Sequence, residues 1–122
     1  FSTDTNATDV GDLSQLRAGG RGQFSSTHGY TSGGKVNPST NSNVIDKFPF
    51  SSDANATDVG DLTQIRERSA GQSSTENGYN AGGASGTSYY DTIDKFPFSS
   101  DANATDVGNL TEGRAGSGGQ QV

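Results

Sequence analysis

Ile45 to Leu62 reads IDKFPFSSDANATDVGDL, and Ile93 to Leu110 reads IDKFPFSSDANATDVGNL. A single letter separates the two, Asp61 against Asn109, so the chain is a tandem repeat and its function belongs to a recurring surface rather than to one singular site. A shorter copy, FSTDTNATDVGDL, fills Phe1 to Leu13. Phe1 to Phe50 spans 49 positions and Phe50 to Phe98 spans 48, and the one-residue slip falls between Gly34 and Ile45. Lys35 to Val44 and Ala84 to Thr92 share almost nothing, although Gly33-Gly34 matches Gly82-Gly83 before them and IDKFPF matches IDKFPF after them. That slip marks a variable loop. The repeat divides the chain into 1–16, the last strand of a truncated unit; 17–65 and 66–113, two complete units; and 114–122, the start of a further one.

Within a unit four short extended segments are legible between turn signals. In the second unit the first is Ala70 to Thr75, followed by a polar turn at Glu76-Asn77, and the second is Gly78 to Ala81, stopped by Gly82-Gly83. The third is Thr92 to Phe98, with Asp94, Phe96 and Phe98 on one face and Ile93, Lys95 and Pro97 on the other. The fourth, read in the first unit, is Thr57 to Leu62, and Ser51 to Asn55 before it has the residues of a hairpin tip. No window carries helical apolar spacing, and glycine recurs too often for helix interiors. The expected fold class is all-β, with tandem four-stranded antiparallel units.

Composition bounds what such a chain can do. Only 27% is hydrophobic, with 18 Gly and no Trp, Met or Cys, so the core is thin and the recurring Phe48, Phe50, Phe96 and Phe98 are expected inside it. A net charge of -6 disfavours nucleic acid and anionic membrane as partners. No apolar run approaches membrane-spanning length. Absence of cysteine removes thiolate chemistry, and the lone His28 is replaced by Asn77 one repeat later, which leaves no nucleophile and base constellation. The expectation is a protein that is not an enzyme and has no cofactor.

Two recurring motifs carry candidate chemistry. Asp53, Asn55, Thr57 and Asp61, with Asp101 and Asn103 in the next copy, place oxygens at calcium-loop positions. However, the sixth position is Asp58 rather than glycine and no glutamate closes the loop, so a hairpin tip is the better reading. Asn6, Asn55, Asn103 and Asn109 begin N-x-T glycosylation triplets. Arg17, Arg66 and Arg114 recur once per unit and are read as structural, bonding loop carbonyls or a repeat aspartate such as Asp46 or Asp94.

The pattern of four strands, Gly-Gly after the second, aromatics in the third and arginine after the fourth resembles the kelch repeat of β-propellers. Arg17, Tyr30, Gly33, Gly34, Ile45, Phe48, Phe50 and Leu62 carry the resemblance in the first unit. Arg66, Tyr79, Gly82, Gly83, Ile93, Phe96, Phe98 and Leu110 carry it in the second. It implies blade-like units, in a partial propeller or an open repeat array. The wording GYTSGG with FPFSSDANATDVGDL is also similar to repeats in predicted bacteriophage structural proteins of the tail-fibre type. Together these imply a structural or recognition module, extracellular or in a virion, binding protein or surface glycan through its loops. Self-association or further repeats of the same chain would then cover its open edges. The alternative expectation is a self-assembling fibre protein whose repeats are stacking units.

Overall fold

A computed structural model describes residues 6–119. Parts of the two terminal repeat fragments, residues 1–5 and 120–122, lie outside the described residues. Twelve strands are present: β1 (Arg21–Phe24), β2 (His28–Ser32), β3 (Lys35–Asn37), β4 (Thr40–Asn41), β5 (Val44–Pro49), β6 (Thr57–Asp61), β7 (Ala70–Ser73), β8 (Asn77–Ala81), β9 (Ala84–Ser85), β10 (Ser88–Tyr89), β11 (Thr92–Pro97) and β12 (Thr105–Asn109). The fold is all-β, with no helix among the described residues. Two four-stranded antiparallel sheets run β1-β2-β5-β6 and β7-β8-β11-β12, each a meander through one repeat unit.

Turn chemistry sets the boundaries of the strands. Ser25 Oγ accepts the His28 N–H at 3.0 Å and Ser74 Oγ accepts the Asn77 N–H at 3.0 Å, so one serine closes the first hairpin of each sheet. Gly33 and Gly82 then take φ of 63° and 66°. A side chain at Gly33 would also lie 2.7 Å from the Arg66 carbonyl oxygen, and one at Gly82 would lie 2.7 Å from that of Arg114. Both reasons demand glycine.

The stretches expected as variable loops are folded instead. Residues 35–44 contain the β3-β4 hairpin and residues 84–91 contain β9-β10, each strand only two or three residues long. Strands so short carry no alternation that a sequence pattern could reveal.

The apolar core lies between the sheets rather than within either. Tyr30, Ile45 and Leu62 from the first unit pack with Phe96 and Ala104 from the second, joined by the partly buried Val59 and Phe98. Register explains the split. Tyr30 pairs with Lys47 and Ser32 with Ile45, which puts Tyr30 and Ile45 on the face toward the second sheet. Phe96 pairs with Gly78 and Asp94 with Asn80, which turns Phe96 and Asp94 back toward the first. The Tyr30 ring stacks on Phe98 at 4.8 Å between centroids and meets Phe96 at 5.6 Å.

One expectation about the core is corrected here. Phe50 is 56% exposed and Phe48 is only half-buried, whereas Phe96 is 2% exposed. Each phenylalanine is more buried in the second unit than its counterpart in the first, Phe96 than Phe48 and Phe98 than Phe50, because their cover is a tyrosine of the preceding unit. Phe96 and Phe98 have Tyr30, but no tyrosine is placed in the same way against Phe48 and Phe50 among the described residues.

Burial raises the Tyr30 hydroxyl above its ordinary value of 10.0, opposed by nearby Lys47 and by Ser25 and reinforced by Asp101. The folded state therefore keeps a proton that the unfolded state loses first. The stability this protects is complete below the ordinary value and is lost as pH rises through the folded one. Urea midpoints should fall more steeply above pH 10 for the native chain than for Tyr30→Phe, and parallel slopes would contradict this.

Candidate functional site

The most constrained polar groups form one socket per unit, built on the recurring arginine. Arg66 follows β6 in the turn that leads to the second sheet, and its guanidinium is 0% exposed. Nη1 donates to the carbonyl oxygens of Gly82 at 3.0 Å and Thr92 at 3.2 Å, and Nη2 donates to Asp94 at 2.5 Å. Thr63 completes the socket, its N–H and hydroxyl donating to the Asp94 carboxylate at 2.8 and 2.6 Å. Burial pulls the Arg66 pKa below its ordinary value and the Asp94 carboxylate opposes the shift.

Arg17 repeats the arrangement on the first sheet, donating to Gly33 at 3.2 Å, Val44 at 2.9 Å and the Asp46 carboxylate. While the Arg66 side chain holds the second sheet, its own carbonyl oxygen accepts the Gly34 N–H of the first at 2.8 Å. The residue is a bridge whose main chain belongs to one unit and whose side chain belongs to the next. The Arg114 carbonyl likewise accepts from Gly83 at 2.8 Å. Its exposed guanidinium meets only Glu112 at 3.1 Å and Thr111 at 3.4 Å among the described residues.

The candidate calcium tip has a different use for its oxygens. Asn103 Oδ1 accepts the Asp61 N–H at 3.0 Å, and the Ala104 N–H donates to the Asp61 carbonyl at 2.8 Å. Asn55 Oδ1 accepts the Asp12 N–H at 2.9 Å, and Ala56 donates to Asp12 at 2.8 Å. The sequence reading had these asparagines closing their own hairpin. They clamp the tip onto the neighbouring repeat copy instead, Asn103 onto β6 and Asn55 onto Asp12 in residues 6–16, where the strand expected for the truncated copy does not form; a partner 42 or 43 positions away leaves no local signal. Asp101 pairs with Lys47 of the other sheet, and Asp53 is exposed. Among the described residues no three His, Cys, Asp or Glu side chains group so as to hold a metal ion. Asn6, Asn55, Asn103 and Asn109, which begin the glycosylation triplets, are all exposed.

The interface between sheets continues in polar contacts. Ser32 Oγ accepts from Gln23 Nε2 and from Asn80 Nδ2, each at 2.9 Å, and Gln23 Nε2 also reaches the Tyr79 carbonyl at 3.1 Å. These groups are buried and tie β1 and β2 to β8. Such bonds are directional, so they set how the two sheets meet where apolar area is scarce.

The surface that differs between units is the rim formed by the two small hairpins. Asn41 in β4 donates through Nδ2 to the Ala84 carbonyl in β9 at 3.1 Å, which holds the hairpins side by side. Lys35 faces Glu67 at 3.6 Å across the same rim. Leu16, 93% exposed, lies with Val36 and Pro38 around an open depression, and Tyr89 is 62% exposed on the second hairpin. At the β1-β2 and β7-β8 tips a separate cleft of about 530 Å³ is lined by Ser25, Thr27, Glu76, Asn77 and Phe98. Repeat matching pairs Leu16 with Ile65, both exposed, a signal the sequence reading passed over.

No family model matches the chain, and no curated protein matches it in sequence. No helix among the described residues is long and apolar enough to cross a membrane.

Proposed function

We propose that this chain is a non-enzymatic structural or recognition module of an extracellular or virion assembly, its sheets serving as kelch-like blades that present the hairpin rim to a protein or surface glycan. The observation that carries the reading is the distribution of difference. The sheets, the arginine sockets and the asparagine clamps repeat with the sequence, while the divergent residues gather in two neighbouring hairpins on one rim. A constant frame with variable, exposed, aromatic and apolar tips is how a scaffold presents specificity. Tyr89, exposed on the second hairpin, is its anchor, and Lys35 with Glu67 lies on the same rim.

A glycan array and a panel of immobilised surface proteins probed with the full chain test this. At least one ligand should bind, and Tyr89→Ser should weaken that binding about 10-fold or more with an unchanged melting curve. Absence of any ligand, or binding insensitive to that substitution, would overturn it.

A second reading, a fibre protein whose repeats are stacking units, is favoured by a separate observation. The side chains that build the contact between the two sheets recur on the outer face of each, where among the described residues they find no second sheet.

A further inference from the structure

The contact between the two sheets is a template for a contact the chain does not make with itself. Its first half consists of Tyr30, Ile45, Lys47 and Val59; one repeat later these are Tyr79, Ile93, Lys95 and Val107 on the outer face of the second sheet. Its second half consists of Phe96, Phe98, Asp101 and Ala104; one repeat earlier these are Phe48, Phe50, Asp53 and Ala56 on the outer face of the first. Val107 is 48% exposed and Phe50 is 56% exposed. The charges match as well, since Lys95 and Asp53 stand where Lys47 and Asp101 pair. Where the internal contact uses Ser32 and Asn80, the outer faces offer Ala81 and Thr31, a change made on both sides together.

Glycines of the fourth strand show which part of the template is occupied. A side chain at Gly60 would lie 2.5 Å from the Ala102 oxygen of the second unit's tip. A side chain at Gly11 would lie 2.4 Å from the Ala54 oxygen of the first unit's tip, while one at Gly108 would meet nothing within 4 Å among the described residues. Residues 6–13 thus lie on the first sheet's tip as β6 lies on the second's, and β12 is left without a tip. Residues 6–13 and 103–110 read NATDVGDL and NATDVGNL, so either can fill that slot. Gly119 approaches Gly71 as Gly71 approaches Gly22, so residues 115–119 similarly cover the innermost edge of the second sheet.

We propose that the outer face of the second sheet docks the first sheet of a second copy of this chain: residues 6–17 of that copy give up their place to residues 103–114 of the first, and residues 115–119 of the first give way to β1 of the second. The contact is head-to-tail, so it builds a ring or a filament rather than a symmetric dimer. The resident segment competes intramolecularly and holds the chain back from assembly. Arg114 gains the Asp46 socket that Arg17 vacates, and Lys95 gains Asp53. The inference rests on the stacking reading and is independent of what the hairpin rim binds.

Sedimentation velocity of the full chain across a concentration series, with circular dichroism melts as the check on folding, tests it. The native chain should show concentration-dependent association. Gly11→Ala, which evicts the resident segment by collision with Ala54, should tighten it about 10-fold or more. Phe50→Asp and Val107→Asp, each on an exposed position, should remain folded monomers alone and form a 1:1 dimer when mixed, because each retains the face that the other lacks. If Val107→Asp melts early, Tyr79→Ser takes its place. A native chain that stays monomeric throughout, a folded Gly11→Ala chain that associates no more tightly, or a mixture that stays monomeric would each overturn the proposal. Ligand binding by the rim is a separate readout, so loss of one reading leaves the other standing.

Discussion

Arg66→Ala should lower the unfolding free energy by about 3 to 5 kcal/mol, among the largest losses any single truncation of this chain produces. The guanidinium is wholly buried, and its removal leaves the Asp94 carboxylate without a counter-charge at a site that is 0% exposed. Thr63 still donates two hydrogen bonds to that carboxylate, but hydrogen bonds do not replace a charge in a desolvated socket. The carbonyl oxygens of Gly82 and Thr92 lose a donor in the same step, which loosens the turn after β8 and the start of β11 together. Arg66→Lys should recover only part of the loss, because an ammonium cannot reproduce the planar fork that reaches two carbonyls and a carboxylate. Arg114→Ala serves as the control, since that side chain is exposed and should leave the urea midpoint unchanged within error. Equal losses at Arg66 and Arg114 would refute the socket account.

Phe96→Ala should cost about 3 to 5 kcal/mol, and Tyr89→Ala under about 1 kcal/mol. Phe96 is packed from three sides. Its ring lies over Gly78, where an added side chain would come within 2.3 Å of it, and meets Tyr30 at 5.6 Å and Phe98 at 5.9 Å. Gly78 is held in β8 by its pairing with Phe96 and Ser73, so the backbone cannot collapse into the space left behind. Because Tyr30 belongs to the other sheet, the cavity opens between the units, and the variant should lose contact between units as well as stability. Phe50→Ala, identical in sequence context to Phe98→Ala, should cost much less because its ring is already more than half exposed. Chemical denaturation midpoints decide this, and losses of similar size at Phe50, Tyr89 and Phe96 would remove the distinction between core and rim.

The strands were legible because each is bounded by residues whose turn chemistry is local. Gly82 and Gly83 mark an end that a reader can find without knowing what lies opposite, and β8, β11 and β6 fall within a residue of their expected limits, whereas β7 ends at Ser73, two residues before the expected Thr75, because Ser74 closes the turn. Burial was not legible to the same degree. Phe50 and Phe98 have the same neighbours in sequence, and only the position of Tyr30 against one of them makes them different. The Asn55 and Asn103 clamps were hidden for the same reason, since an asparagine in a turn satisfies local rules whether or not a distant N–H reaches it. The rim was found by its divergence, yet its hairpins were not, because β9 and β10 are two residues each.

The bridging arginine also affects how such a chain can change length. Its main chain lies in one unit and its side chain in the next, so the natural cut is not at a unit boundary but within the shared run 45–62 and 93–110. Joining the chain at Phe50 directly to Ser99 removes one period, yet leaves Arg17 with Asp46 and delivers the same TDVGNL segment toward Arg114. An exchange at any matched point along those eighteen letters has the same outcome. Repeat number is thereby free to drift by whole periods under recombination, while a change of any other length is tolerated only where, as with the one-residue slip in the small hairpin, it leaves each arginine facing its aspartate.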